Sequence, residues 1–139
     1  MTAHVVLDAA AFDVLDTAAG ARMRAILREA ANRRREVVCA AVTLAEVCRG
    51  TQRTRRVESA LARKQGGQRI RIVPTNERLA KLVGAILHDT ANDSTRIADA
   101  HVVAVSAGAD SALVITSDPG DIVNLSSAVP GTRITTHRV

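Results

Sequence analysis

The chain has 139 residues, 47% of them hydrophobic, which supplies one ordinary core and falls short of two typical domains, so a single domain over residues 1–139 is expected. Phe12 is its only aromatic residue, which disfavours a platform that stacks splayed-out bases. The net charge of +5 is unevenly divided: residues 22–71 hold 14 Lys/Arg against 4 Asp/Glu, and the rest of the chain holds 5 against 10. A basic segment beside an acidic remainder suits a polyanion held on one surface while carboxylates act elsewhere; Arg-rich helix faces that are merely solvated have the same composition.

In chain order, the first apolar run is Val5-Val6-Leu7, a strand ending at Asp8. The N-terminus has no basic n-region, and Asp8 and Asp13 interrupt the apolar stretch, so no secretory leader is expected. Met23, Ile26, Leu27, Ala30 and Ala31 recur at i, i+3, i+4, i+7, i+8 and predict an amphipathic helix. Val37 to Ala40 is the second strand, followed by a helix with Glu46 expected in its first turn. Gln65-Gly66-Gly67 punctuates the chain before the third strand, Ile70 to Val73. Leu79, Leu82, Val83, Ile86 and Leu87 repeat the helical spacing, with Thr75 as the expected N-cap and Glu77 in the first turn. Asn92 to Ser94 separates that helix from one running from about Thr95 to Ala107 and ended by Gly108. Leu113-Val114-Ile115 is the fourth strand, a short helix follows Asp118-Pro119, and a fifth strand lies around Ile134.

The order β-α-α-β-α-α-β-α-α-β-α-β, with strands that are continuously apolar, predicts a three-layer α/β/α sandwich around a mainly parallel sheet of four to five strands. No stretch approaches the roughly 18 consecutive apolar residues of a membrane span. Cys39 and Cys48 lack metal-site spacing and suit buried, reduced thiols in a cytoplasmic protein.

In open parallel sheets, ligands bind beyond the carboxyl ends of the strands. Asp8 ends the first strand, Asp118 follows the fourth, Glu46 belongs to the helix after the second, and Asp99 sits near the start of the helix Thr95 to Ala107. At about 100° per residue Asp99 lies about 200° from Ile97, off the expected apolar stripe. Each acid also has a plainer reading. Thr43-x-x-Glu46 matches a capping box, Asp118-Pro119 matches an N-cap with proline at N1, Asp8 can start a turn, and Asp99 can be a solvated helix residue. Together at one edge they repel, each pair by about 4 kcal/mol at about 4 Å in an effective dielectric of about 20, which calls for a bound cation. All-oxygen donors without Cys/His spacing select a hard divalent ion rather than zinc, and such an ion lowers the pKa of its bound water and polarises a phosphoryl oxygen.

These residues resemble the PIN-domain nucleases, and within them the VapC-type toxins of bacterial toxin–antitoxin pairs. The resemblance covers nearly the whole chain: Val5-Val6-Leu7-Asp8-Ala9-Ala10-Ala11, Thr43-Leu44-Ala45-Glu46-Val47, Ile97-Ala98-Asp99-Ala100-His101-Val102-Val103-Ala104 and Val114-Ile115-Thr116-Ser117-Asp118-Pro119-Gly120-Asp121-Ile122 match the four acidic motifs in order. It implies a PIN-like sandwich and Mg²⁺- or Mn²⁺-dependent endoribonuclease activity. Asp8, Glu46, Asp99 and Asp118 would be ligands or water activators, Thr116 the supporting hydroxyl, and Asp121 a further acid. It also implies an RNA substrate, a homodimer, and a hetero-oligomer with a VapB-type antitoxin that inserts a segment into the acidic pocket.

Arg96 stands where relatives with a similar third motif often carry another acid, three residues before Asp99 and on the same side of the helix. It can weaken metal binding or grip a phosphate. His101, two residues from Asp99, points elsewhere and is expected to be structural. Arg49, Arg53, Arg55, Arg56 and Arg96 are the candidates for RNA binding. The alternatives are a catalytically weakened PIN-like RNA-binding or antitoxin-docking module, and a PIN nuclease acting on DNA.

Overall fold

Each predicted apolar run forms a strand in the computed structural model, which describes all 139 residues. The strands are β1 (Ala3–Leu7), β2 (Glu36–Ala40), β3 (Arg71–Val73), β4 (Ser111–Thr116) and β5 (Arg133–Arg138). All neighbours pair in parallel, in the spatial order β3-β2-β1-β4-β5. The helices are α1 (Ala9–Val14), α2 (Ala21–Asn32), α3 (Ala41–Val47), α4 (Thr51–Ala62), α5 (Glu77–Asp89), α6 (Ile97–Ser106) and α7 (Pro119–Ser126). This is the expected α/β/α sandwich, with five strands.

The order of strands decides where the helices go. From β1 the chain steps outward through β2 to β3, then crosses to the other side of β1 for β4 and β5. Right-handed connections in opposite directions put their helices on opposite faces of the sheet. Two cores result. Val5, Leu7, Val37, Cys39 and Ile115 pack with α1, α2 and α4, through Phe12, Met23, Leu27 and Val57 among others. Val6, Val38, Ala40, Ala112 and Val114 pack with α5, α6 and α7, through Val83, Ile86, Val103, Ile122 and Leu125 among others. The strands alternate between the two cores residue by residue, which is why they read as unbroken apolar runs.

Five local expectations are corrected. The N-cap of α5 is Asn76, whose side chain accepts from the Leu79 amide at 2.9 Å, rather than its neighbour Thr75. Helix α3 starts directly off β2 with Ala40 as its N-cap, so Thr43 is a fully buried mid-helix residue without a hydrogen-bond partner, and Glu46 lies in the last turn rather than the first. Helix α6 begins at Ile97, after a 3₁₀ turn over Ser94–Arg96. Its exposed residue is Ile97, whereas Ala100 to Ser106 are all buried between the sheet and the neighbouring helices, so no apolar stripe runs from Ile97. Ile70 is buried just before β3 rather than within it.

The Gln65-Gly66-Gly67 break has a packing reason. Gly66 has φ +62°, and a Cβ there would come within 2.4 Å of the Leu27 carbonyl on α2. Only glycine lets the turn approach that helix so closely.

Candidate active site

The switch in strand order falls between β1 and β4, and the crevice beyond their carboxyl ends is where a parallel sheet binds ligands. Asp8 is the first residue past β1, and its amide donates to the Ile115 carbonyl at 3.0 Å. Its carboxylate is 6% exposed and held at both oxygens: Oδ1 accepts from the Ala9 amide at 2.8 Å, and Oδ2 accepts from the Thr116 hydroxyl at 2.7 Å. Thr116, fully buried at the end of β4, accepts in turn from the Asp118 amide at 3.0 Å. One hydroxyl therefore fixes both the first acid and the loop carrying the fourth. Asp118 occupies the N-cap position of α7, with Pro119 at the start of the helix, but its side chain makes no cap bond and remains free.

Asp99 lies in the first turn of α6, whose N-terminus faces the same edge. Its carboxyl is pushed up to about 6, first by burial and then by the charges of Asp8, Asp121, Glu46 and Asp118. All five candidate acids thus share one electrostatic neighbourhood. Glu46 sits on the rim, still open to solvent; its carboxyl is raised by partial burial and by Asp8, against the pull of Arg49.

Arg96 reaches into this group from the turn before α6. Its guanidinium donates to Asp121 Oδ2 at 2.6 Å and lies 3.9 Å from Asp99 Oδ2. The sequence placed Arg96 beside Asp99; its tighter partner, Asp121, is on another helix. His101 is turned away into the fold, 6% exposed, with Nδ1 2.7 Å from the Ile97 carbonyl.

The family profile of the PIN domain matches residues 5–123, a span that takes in all five acids. The chain belongs to the PIN domain family. PIN domains are in general nucleases, which makes hydrolysis of nucleic acid the activity class of this site. Among solved structures, the PIN fold here superposes on a chain of the crystal structure of VapBC2 from Rickettsia felis bound to a DNA fragment from their promoter, with a TM-score of 0.65 and 12% identity, covering 96% of this chain and 98% of that one. No curated protein matches the sequence.

A divalent ion suits the donors of this PIN site in chemistry, because they are carboxylate oxygens; the Asp99 carboxyl is raised first by burial and then by the neighbouring acids. As the side chains lie, no three of the acids are gathered closely enough to share one ion, so binding requires carboxylates to turn inward.

The basic segment is less free than its composition suggests. Arg53 pairs with Asp13 and Arg63 with Asp16, both at 3.0 Å, tying α4 to α1 and the loop after it. Arg33 pairs with Glu29 and Arg71 with Glu36. Arg49 donates to the Ala45 carbonyl at 2.9 Å at the end of α3. Arg55 and Arg56 are exposed and make no ion pair. Sequence reasoning missed the Asp13 and Asp16 partners because contacts across 40 and 47 residues leave no local pattern. Cys39 and Cys48 are free thiols, and burial pushes Cys39 up to about 12, so it is inert as a nucleophile. No helix is long and apolar enough to cross a membrane.

Proposed function

We propose that this PIN domain is a Mg²⁺- or Mn²⁺-dependent endoribonuclease and the toxin of a toxin–antitoxin pair. The observation that carries the reading is the placement of Asp8 and Asp118 just past β1 and β4, both fixed by the Thr116 hydroxyl, with Asp99 and Asp121 bridged by Arg96. Asp8 and Asp99 would be the principal holders of the ion, with Glu46 and Asp118 turning in from the rim and Asp121 as the additional acid. When bound, the ion supplies a water of lowered pKa and a counter-charge for the phosphoryl oxygens. Thr116 fixes the Asp8 carboxylate through Oδ2 and anchors the start of α7 through the Asp118 amide. The carboxylates that do not bind the ion can accept the proton of the attacking water, and Arg49 near Glu46, with the exposed Arg55 and Arg56 of α4, can hold flanking phosphates.

RNA as substrate, a VapB-type antitoxin as partner and a homodimer as the assembled form follow from the motif resemblance, and the antitoxin draws further support from the VapBC2 fold match. The Arg96–Asp121 pair favours a second reading, a weakened domain that binds RNA or antitoxin without turnover. Incubation of the purified chain with single-stranded and looped RNA and with duplex DNA, in Mg²⁺ or Mn²⁺ and in EDTA, separates the two. Metal-dependent cleavage of RNA alone is expected, and binding without cleavage under every condition selects the weakened module.

A further inference from the structure

A second charged recess lies away from the acids, along α2. Arg24, Arg28 and Asn32 recur at i, i+4 and i+8 on one face of that helix, and with Leu27 and the Gln65-Gly66-Gly67 turn they line a cavity of about 380 Å³. No acid lines it. Arg24 is half-buried and held by neutral groups: its Nη1 donates to the Leu15 carbonyl at 2.8 Å and to the Thr17 carbonyl at 2.7 Å. Neither Arg24 nor the exposed Arg28 takes part in an ion pair. The acids that flank this stretch of chain, Glu29 and Glu36, are already paired with Arg33 and Arg71.

The turn adds donors. Gly66 and Gly67 have φ +62° and +102°, and neither amide donates to another backbone group. Gln68, the next residue, accepts from the Val37 amide at 3.3 Å and donates to the Arg35 carbonyl, which fixes the turn at the amino end of β2. The recess therefore opens near the edge of the sheet opposite the carboxyl ends that carry Asp8 and Asp118.

Resting on the nucleic-acid reading above, we infer that this recess binds a backbone phosphate of a nucleic-acid strand, other than the phosphate at the acidic crevice. Guanidinium forks, backbone amides and an Asn side chain are the donors that grip phosphate oxygens. Two positive charges without internal partners favour an anion there. Leu27 is the one apolar residue of the lining, and it is buried. Neither a base nor the apolar side chains of a peptide finds a surface to pack on, so contact is confined to phosphate and carries no sequence preference.

The test is a titration of the isotope-labelled full chain in EDTA, followed by nuclear magnetic resonance of the Gly66 and Gly67 amides and the Arg24 Nε–H. The probes are a short single-stranded RNA, a single-stranded DNA of equal length and inorganic phosphate. All three signals are expected to shift with both strands, and at lower concentration than with inorganic phosphate. Arg28→Gln alters an exposed side chain without an ion pair, so its circular dichroism spectrum is expected to overlay that of the wild type. Its RNA binding is expected to lose roughly 0.7–1 from the slope of log K against log salt. Silent glycine amides with both strands, an unchanged slope in Arg28→Gln, or shifts with inorganic phosphate alone each overturn the inference. Metal-dependent cleavage by a chain whose glycine amides stay silent leaves the nuclease reading standing. Shifted amides in a chain that never cleaves overturn that reading and leave this one.

Discussion

Helix α4 and the crevice beside α6 both set arginine against carboxylate, with different consequences. Along α4, Arg53 and Arg63 reach Asp13 and Asp16 across side chains that are about half exposed. Pairs of that kind contribute up to about 1 kcal/mol each and serve as surface ties between helices. In the crevice, Arg96 meets Asp121 in the field of four further carboxylates, where negative charge is in surplus and burial raises the Asp99 carboxyl. There the same contact offsets one charge of a crowded acidic group. The number of acids around an arginine, and their access to water, sets whether the pair is scaffolding or charge control.

The strongest way to break this comparison is to remove the acids themselves. Asp8→Asn or Asp99→Asn is expected to lower RNA cleavage by on the order of 100-fold or more while leaving the circular dichroism spectrum unchanged. A variant that cleaves at the wild-type rate places the chemistry elsewhere. Next in size is Thr116→Val, which strips one donor from the buried Asp8 carboxylate and the acceptor from the Asp118 amide. A loss of about 1–3 kcal/mol in chemical denaturation is expected, together with weakened Mn²⁺ binding. Unchanged values for both would show that the hydroxyl is dispensable.

The crowding of the acids also has a sign in pH. A carboxyl whose folded pKa is raised binds more protons in the native state than in the unfolded chain, so the contribution of Asp99 to metal-free stability falls as pH rises between about 4 and about 6, the interval from the ordinary Asp value to its own. The fall is on the order of 1–3 kcal/mol, and saturating Mg²⁺ is expected to reduce it. Denaturation midpoints of the wild type and Asp99→Asn across that interval, with and without Mg²⁺, measure it; the same pH dependence in both metal-free proteins would contradict the crowding. The smallest effects belong to α4. Neutralising Arg55 and Arg56 is expected to weaken RNA binding and to lower the slope of log K against log salt by roughly 1 for each phosphate these side chains neutralise. Arg53→Gln is expected to change the slope less, because Arg53 is already paired with Asp13. Equal slopes for all these variants would mean that the whole helix face is merely solvated.

Much of this was legible in the sequence, for a physical reason. Strands buried on both faces must be apolar at every position, so β1, β2 and β4 stood out as unbroken runs, and chain order alone brought Asp8, Glu46, Asp99 and Asp118 to one edge. Caps were harder to read. Thr75 and Asn76 are adjacent residues, both able to cap, and the choice rests on backbone angles. Thr43-x-x-Glu46 imitated a capping box because α3 leaves β2 without any polar residue at its start. A nearly all-buried helix has no stripe, so periodicity misassigned Ile97. Contacts between distant elements were invisible: nothing local links Arg96 to Asp121, or Arg53 and Arg63 to Asp13 and Asp16.

The central claim is that the crevice between β1 and β4 cuts RNA with a divalent ion held by its acids. Its most direct test is a time course of cleavage of a single-stranded RNA by the purified chain in Mg²⁺, in EDTA, and in EDTA followed by excess Mn²⁺. Cleavage in Mg²⁺, none in EDTA and recovery on adding Mn²⁺ is the predicted result. Cleavage at an undiminished rate in EDTA would contradict it.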